Sequence, residues 1–84
     1  TEDRVNLYPN PVRSEAQLVI QNAYHGPVNV ILRNQYGQAI RQIPLEKTGT
    51  NISHTLLLSD LPKGLYFIQL QFGGKTSTVK FIKY

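Results

Sequence analysis

Two histidines, His25 and His54, and five carboxylates, Glu2, Asp3, Glu15, Glu46 and Asp60, are the whole stock of side chains able to move protons near neutral pH. His54 follows Ser53 and precedes Ser59-Asp60, the residue types of a nucleophile, a base and an orienting carboxylate. Such a triad is defined by geometry, and Ser, His and Asp co-occur in many chains by chance. His54 also alternates with Ile52, Leu56 and Leu58, which fits a hydrogen-bonded residue on or near an inward strand face. His25-Gly26-Pro27 has the composition of a turn with an exposed imidazole. No two carboxylates are spaced to converge as a glycosidase pair or a calcium loop. There is no Cys, which excludes disulfides, thiolate nucleophiles, Cys-ligated zinc and iron–sulfur clusters. The glycine-containing loops are turns without a following helix, so a phosphate cradle has no support. Asn51-Ile52-Ser53 matches a glycosylation sequon, a triplet that is common by coincidence. The expectation is a non-catalytic chain without cofactor or metal.

The elements that must carry these residues are short. Eighty-four residues suffice for one domain, 1–84, and are too few for two. With 40% hydrophobic and 17% charged residues, the chain has a core to pack. The net charge of +4 is dispersed over Arg4, Arg13, Arg33, Arg41, Lys47, Lys63, Lys75, Lys80 and Lys83. Only Lys75, Lys80 and Lys83 gather. A solvated surface accounts for this pattern, and with no Arg cluster or recognition helix, no nucleic-acid partner is expected. No apolar run approaches the ~18–20 residues of a membrane-spanning helix, so no membrane insertion is expected. The chain opens Thr1-Glu2-Asp3-Arg4 with no Met and no signal peptide, as a fragment of a longer protein would.

Nothing keeps helical spacing for three turns. β-Branched and aromatic runs recur about every ten residues between Gly- and Pro-containing turns. Strands are expected at Val5–Tyr8, Ala16–Asn22, Val28–Arg33, Gln38–Leu45, Asn51–Leu57, Gly64–Phe72 and Lys75–Lys83. Gly73-Gly74 makes a two-residue turn, pairing Phe72 with Lys75, Leu70 with Ser77, Ile68 with Val79, and Tyr66 with Phe81. That face is the expected core side. The other face pairs Phe67 with Lys80 and Leu65 with Ile82. Asn34-Gln35-Tyr36-Gly37 fits a type I turn with a bulge at Gly37, placing Leu32 opposite Ile40. The predicted fold is all-β: a seven-stranded antiparallel immunoglobulin-like β-sandwich.

The order of the punctuation goes further. The chain opens Leu7-Tyr8-Pro9-Asn10-Pro11-Val12, continues Val30 to Ile40 through Asn34-Gln35-Tyr36-Gly37, then Leu61-Pro62-Lys63-Gly64-Leu65-Tyr66, and closes Lys80-Phe81-Ile82-Lys83. Four such segments in this order resemble the C-terminal sorting domain of the type IX (Por) secretion system of Bacteroidetes, across nearly the whole chain. Tyr8, Pro9, Asn10, Pro11, Gly37, Gly64 and Tyr66 carry the family motifs. Asn34 and Gln38 stand where the family usually has Asp and often has Arg, and Tyr84 follows Lys83 where many members end in Lys or an apolar residue.

The resemblance implies an address label with no catalysis of its own. Cargo bearing such a domain reaches the periplasm, passes the type IX outer-membrane translocon, and arrives at the cell surface or in the medium. A sortase-like cysteine peptidase commonly removes the domain on its N-terminal side. An extended linker upstream of Val5 is the expected cleavage region. On the outer face, Leu65, Phe67 and Ile82 form an apolar cluster beside Lys80, with Lys83 at its cationic end and Leu57 extending it. Two readings stay open: ordinary surface, since single exposed apolar residues need no purpose, or a translocon contact through Leu65, Phe67, Lys80, Ile82 and Lys83, since apolar area bordered by charge is a common interface pattern. The competing reading is a carbohydrate-binding or adhesive sandwich using Tyr24 and Tyr36. The oligomeric state is not legible.

Overall fold

A computed structural model describes residues 4–84. Thr1, Glu2 and Asp3, and with them most of the expected cleavage linker, lie outside the described residues. Seven strands follow one another: β1 (Arg4–Tyr8), β2 (Glu15–Gln21), β3 (Gly26–Asn34), β4 (Ala39–Lys47), β5 (Asn51–Leu57), β6 (Gly64–Phe72) and β7 (Lys75–Lys83). They form two antiparallel sheets, ordered β1-β2-β5 and β4-β3-β6-β7. This is the A-B-E and C-F-G arrangement of an immunoglobulin-like sandwich, with β4 added beside β3. β5, β6 and β7 match the expected bounds, and the other four shift by one or two residues.

Period-two alternation decides which side chains face the gap between sheets. Ala16, Leu18 and Ile20 from β2, Val28, Val30 and Leu32 from β3, Leu56 and Leu58, and Tyr66, Ile68, Leu70, Phe72 and Phe81 form one core cluster. The β6–β7 register is the expected one throughout, from Tyr66–Phe81 to Phe72–Lys75. Gly73 and Gly74 both take positive φ, at 55° and 80°.

The β3–β4 hairpin departs from expectation. The turn itself is as read: Gly37 has φ of 84°, and Asn34 Oδ1 accepts from the N–H of Tyr36 (2.9 Å) and of Gln38 (3.1 Å). However, Leu32 pairs with Arg41 and Arg33 with Ala39, so Ile40 is an extra residue bulged out of the ladder. The reason is the side-chain period. Without the bulge, Val30 would face Gln42 and Val28 would face Pro44. With it they face Ile43 and Leu45, which pack against the core. One inserted residue turns the strand's apolar face inward.

The β5–β6 crossing is a tyrosine corner. The Tyr66 hydroxyl donates to the Pro62 carbonyl at 2.7 Å, and its ring stacks on Phe81 with centroids 5.5 Å apart. Gly64, at φ 154°, lets the chain turn between them.

Lys47 was expected in a solvated turn, yet it is fully buried, at 0% exposure. It pairs with Gly26 at the inward end of β4. Its ammonium donates to the carbonyls of Asn22 (2.9 Å), Tyr24 (2.8 Å) and Gly49. Three donors meet three acceptors, which is why the charge tolerates burial without a carboxylate. At the same open side of the sandwich, Arg41 donates to Leu57 O at 2.7 Å and grips both oxygens of Asp60 at 3.0 and 3.1 Å.

Three outcomes follow for the isolated chain. Lys47→Met strands three carbonyls and should cost about 2–4 kcal/mol in urea unfolding. Phe81→Ala should cost about 3–5 kcal/mol in the same assay. Hydrogen bonding to Arg41 holds the Asp60 carboxyl below its ordinary value. A lowered folded pKa stabilises above the unfolded pKa and is lost as pH falls through the folded one. The acid limb of the wild-type melting profile should therefore lose a small contribution in that window, which Asp60→Asn lacks at every pH.

Candidate recognition surface

The terminal strand β7 is an edge strand, and a bare edge invites unwanted pairing. Here the segment after β1 covers part of it. Both bonds preceding Pro9 and Pro11 are cis, and β1 stops at Tyr8. Val12 then forms a parallel bridge with Lys83: Val12 N–H donates to Ile82 O at 2.7 Å, and Tyr84 N–H donates to Val12 O at 2.8 Å. Asn10 continues the pattern with its side chain. Its Oδ1 accepts from Ile82 N–H at 3.2 Å, and its Nδ2 donates to Lys80 O at 3.4 Å. One side-chain amide thus imitates a peptide group beside β7. Val12 is fully buried, so the contact is anchored in the core. Pro9 and Pro11 follow the end of β1, and Asn10 and Val12 go on to cover β7.

This clamp fixes how β7 presents its outer face. Register places Leu65 beside Ile82, and Phe67 between Arg33 and Lys80. Leu65 and Phe67 are half-buried, Lys80 is exposed, and Ile82 is 48% exposed. Arg33 lies across the neighbouring strand, donating from Nε to Gln69 Oε1 at 2.8 Å and from Nη1 to Gly37 O at 2.9 Å. The expected outer-face residues Leu65, Phe67, Lys80 and Ile82 are therefore brought together.

Two expectations fail. Lys83 is not part of the outward face: it has the parity of Phe81, is 6% exposed, and its ammonium donates to Tyr84 O at 2.8 Å. Leu57, though 65% exposed, belongs to β5 in the other sheet and cannot extend a cluster on the four-stranded sheet.

The competing chemistries find no assembly among the described residues. Asp60 is held by Arg41, whereas His54 is half-buried opposite Leu18 and its side chain makes no hydrogen bond to another described residue. No group of three or more His, Cys, Asp and Glu residues converges among the described residues. Tyr36 is exposed at the β3–β4 turn, at the far end of β3 from Tyr24. The Tyr24 hydroxyl donates to Pro27 O at 2.9 Å and its ring packs on Phe72, centroids 5.5 Å apart. The two rings therefore make no common platform for a sugar.

Comparison with known proteins agrees with the motif order. The family described as "Secretion system C-terminal sorting domain" matches residues 6–84. The crystal structure of dimeric latent PorU from Porphyromonas gingivalis superposes with a TM-score of 0.74 at 23% identity, over 96% of this chain and 9% of that one. At that identity the likeness shows a shared fold, and this chain spans about a tenth of the other's length. No curated protein matches. Matched over all but its first five residues, the chain belongs to the C-terminal sorting domains of the type IX secretion system.

Proposed function

We propose that the chain acts as a single non-catalytic unit, 1–84, whose outer β6–β7 face docks on a component of the type IX translocon. A type IX sorting domain marks a protein for export to the cell surface or medium. The contact residues in this reading are Leu65, Phe67, Lys80 and Ile82, with Arg33 bordering Phe67. Lys83 and Tyr66 set the geometry from behind. The observation that carries the assignment is the pinned edge: Asn10 and Val12 hold the backbone around Ile82 while its side chain stays in solvent. Half-buried apolar groups flanked by cations make a surface that releases water on contact while charge steers the approach. The cargo would travel through the periplasm with this domain folded. A sortase-like cysteine peptidase would cut in the segment leading into β1, leaving the sandwich intact. No cofactor is required, and neither nucleic acid nor membrane insertion enters the mechanism.

A secreted reporter fused ahead of the 84 residues tests this in a bacterium with the type IX machinery. The parent fusion should reach the surface or medium. Lys80→Ala with Ile82→Ser alters only outward side chains, so each change should move stability by no more than about 0.5 kcal/mol. That variant should melt like the parent and remain in the periplasm. Normal export of the folded double variant would refute the docking face, while retention of the parent fusion would refute the export role itself.

A further inference from the structure

The four edges of the sandwich are not protected alike. β7 carries Lys75, Lys80 and Lys83 and is partly covered by Asn10 and Val12. β4 contains Pro44, which has no N–H to offer, together with Arg41, Glu46 and Lys47. β1 is only five residues long and begins with Arg4. β5, Asn51–Leu57, has none of these devices: no Lys, Arg, Asp, Glu or Pro interrupts its seven residues.

The direction of its free groups is fixed by hydrogen bonds at its two ends. Thr50 O accepts from Asn22 N–H, and Leu58 N–H donates to Ser14 O, so even-numbered residues turn towards β2. Leu57 O instead faces the guanidinium of Arg41 on the opposite side. Strand alternation then turns the N–H and C=O of Asn51, Ser53 and Thr55 away from β2, where the sheet ends. Beside this edge Ile43, Leu45 and Ile52 are only partly buried against the core.

We propose that β5 is a self-pairing edge, joining antiparallel to β5 of a second copy about a twofold axis at Ser53. In that register Ser53 faces Ser53 of the second copy, and Asn51 faces its Thr55. All are residues whose backbone groups point outward, so each pair exchanges two hydrogen bonds. Ile52 meets His54 of the second copy over the half-buried seam. The occupant follows from charge. A neutral strand meets its own copy without repulsion, whereas β7 against β7 would bring lysines together. The two three-stranded sheets become one continuous sheet, an isologous contact that closes on itself. So short a contact falls below the roughly 1,200 Å² of a stable complex, and the dimer belongs to the transient class.

The test uses the 84-residue chain at rising concentration, with sedimentation equilibrium and residue-resolved amide exchange. The expected result is a monomer–dimer equilibrium in which Asn51, Ser53 and Thr55 gain protection only at high concentration. Ser53→Pro removes an N–H that no strand of its own copy uses, along with the exposed Ser53 Oγ–Gln17 Oε1 hydrogen bond, and should weaken the dimer at least about tenfold while the domain still melts cooperatively. Ser53→Lys keeps the N–H but sets two ammonium groups on the axis, and should weaken it by repulsion; it carries the test alone if the proline variant does not fold. A chain still monomeric at about 1 mM overturns the proposal. So does a dimer that survives the substitutions, or protection of these amides that appears only on adding solubilised outer-membrane proteins from a type IX-competent bacterium. None of these readouts depends on export.

Discussion

The structure turns on one strand crossing from sheet to sheet. β1 pairs with β2 in the three-stranded sheet, and four residues later Val12 pairs with β7 in the four-stranded sheet. The Tyr8-Pro9-Asn10-Pro11 turn makes the switch possible, because Pro offers no N–H that β2 or β7 would have to satisfy. Asn10 fills the interval that the prolines open, accepting from Ile82 N–H and donating to Lys80 O. Without this crossing the two sheets would be joined along this side by side-chain packing alone. With it, backbone hydrogen bonds reach from the start of the chain to its end.

The opposite side of the sandwich is closed by charge. Arg41 reaches from β4 to Leu57 O and Asp60, and Lys47 gathers the Asn22, Tyr24 and Gly49 carbonyls. The two cations behave differently. Asp60 is exposed and Arg41 only half-buried, so their pairing orients more than it stabilises. Lys47 is dry, and its value lies in the carbonyls it leaves satisfied, since a buried orphan costs more than a hydrogen bond gains. Nearby, Asn22 Nδ2 is itself buried without a partner among the described residues, a deficit set beside a fully satisfied cation.

Much of the fold was legible because its signals are local. Gly73-Gly74 fixes one register, and from it the core side of β6 and β7 follows by counting in twos. The Ile40 bulge was not legible, since nothing near Ile40 calls for an extra residue; the need arises at Ile43 and Leu45, which only the facing sheet reveals. Lys47 misled for the same reason. A lysine beside a Thr-Gly turn has every local mark of the surface, and its three acceptors come from two separate loops. Lys83 differs, because counting from Phe81 already turns it inward; its terminal charge outweighed its parity. Of the outer β6–β7 face, the cross-strand neighbours were readable and the clamp by Asn10 was not, since 72 residues separate it from Ile82.

That separation has a physical consequence. A hydrogen bond spanning 72 residues forms only after the intervening chain has been closed, and the entropy of that closure is met by the whole core rather than by the bond itself. The second side of the backbone around Ile82, the one turned away from β6, is therefore held only when β1, the Pro-rich turn and both sheets are already assembled. An extended fragment ending in Lys80-Phe81-Ile82-Lys83 has the same side chains but no fixed direction for them. Phe81 and Lys83 would be as available as Lys80 and Ile82, and a partner would meet all four. In the sandwich, Phe81 and Lys83 are withdrawn and Lys80 and Ile82 are presented. The face thus reports completed folding as well as sequence, because its outward pattern is a property of the assembled chain.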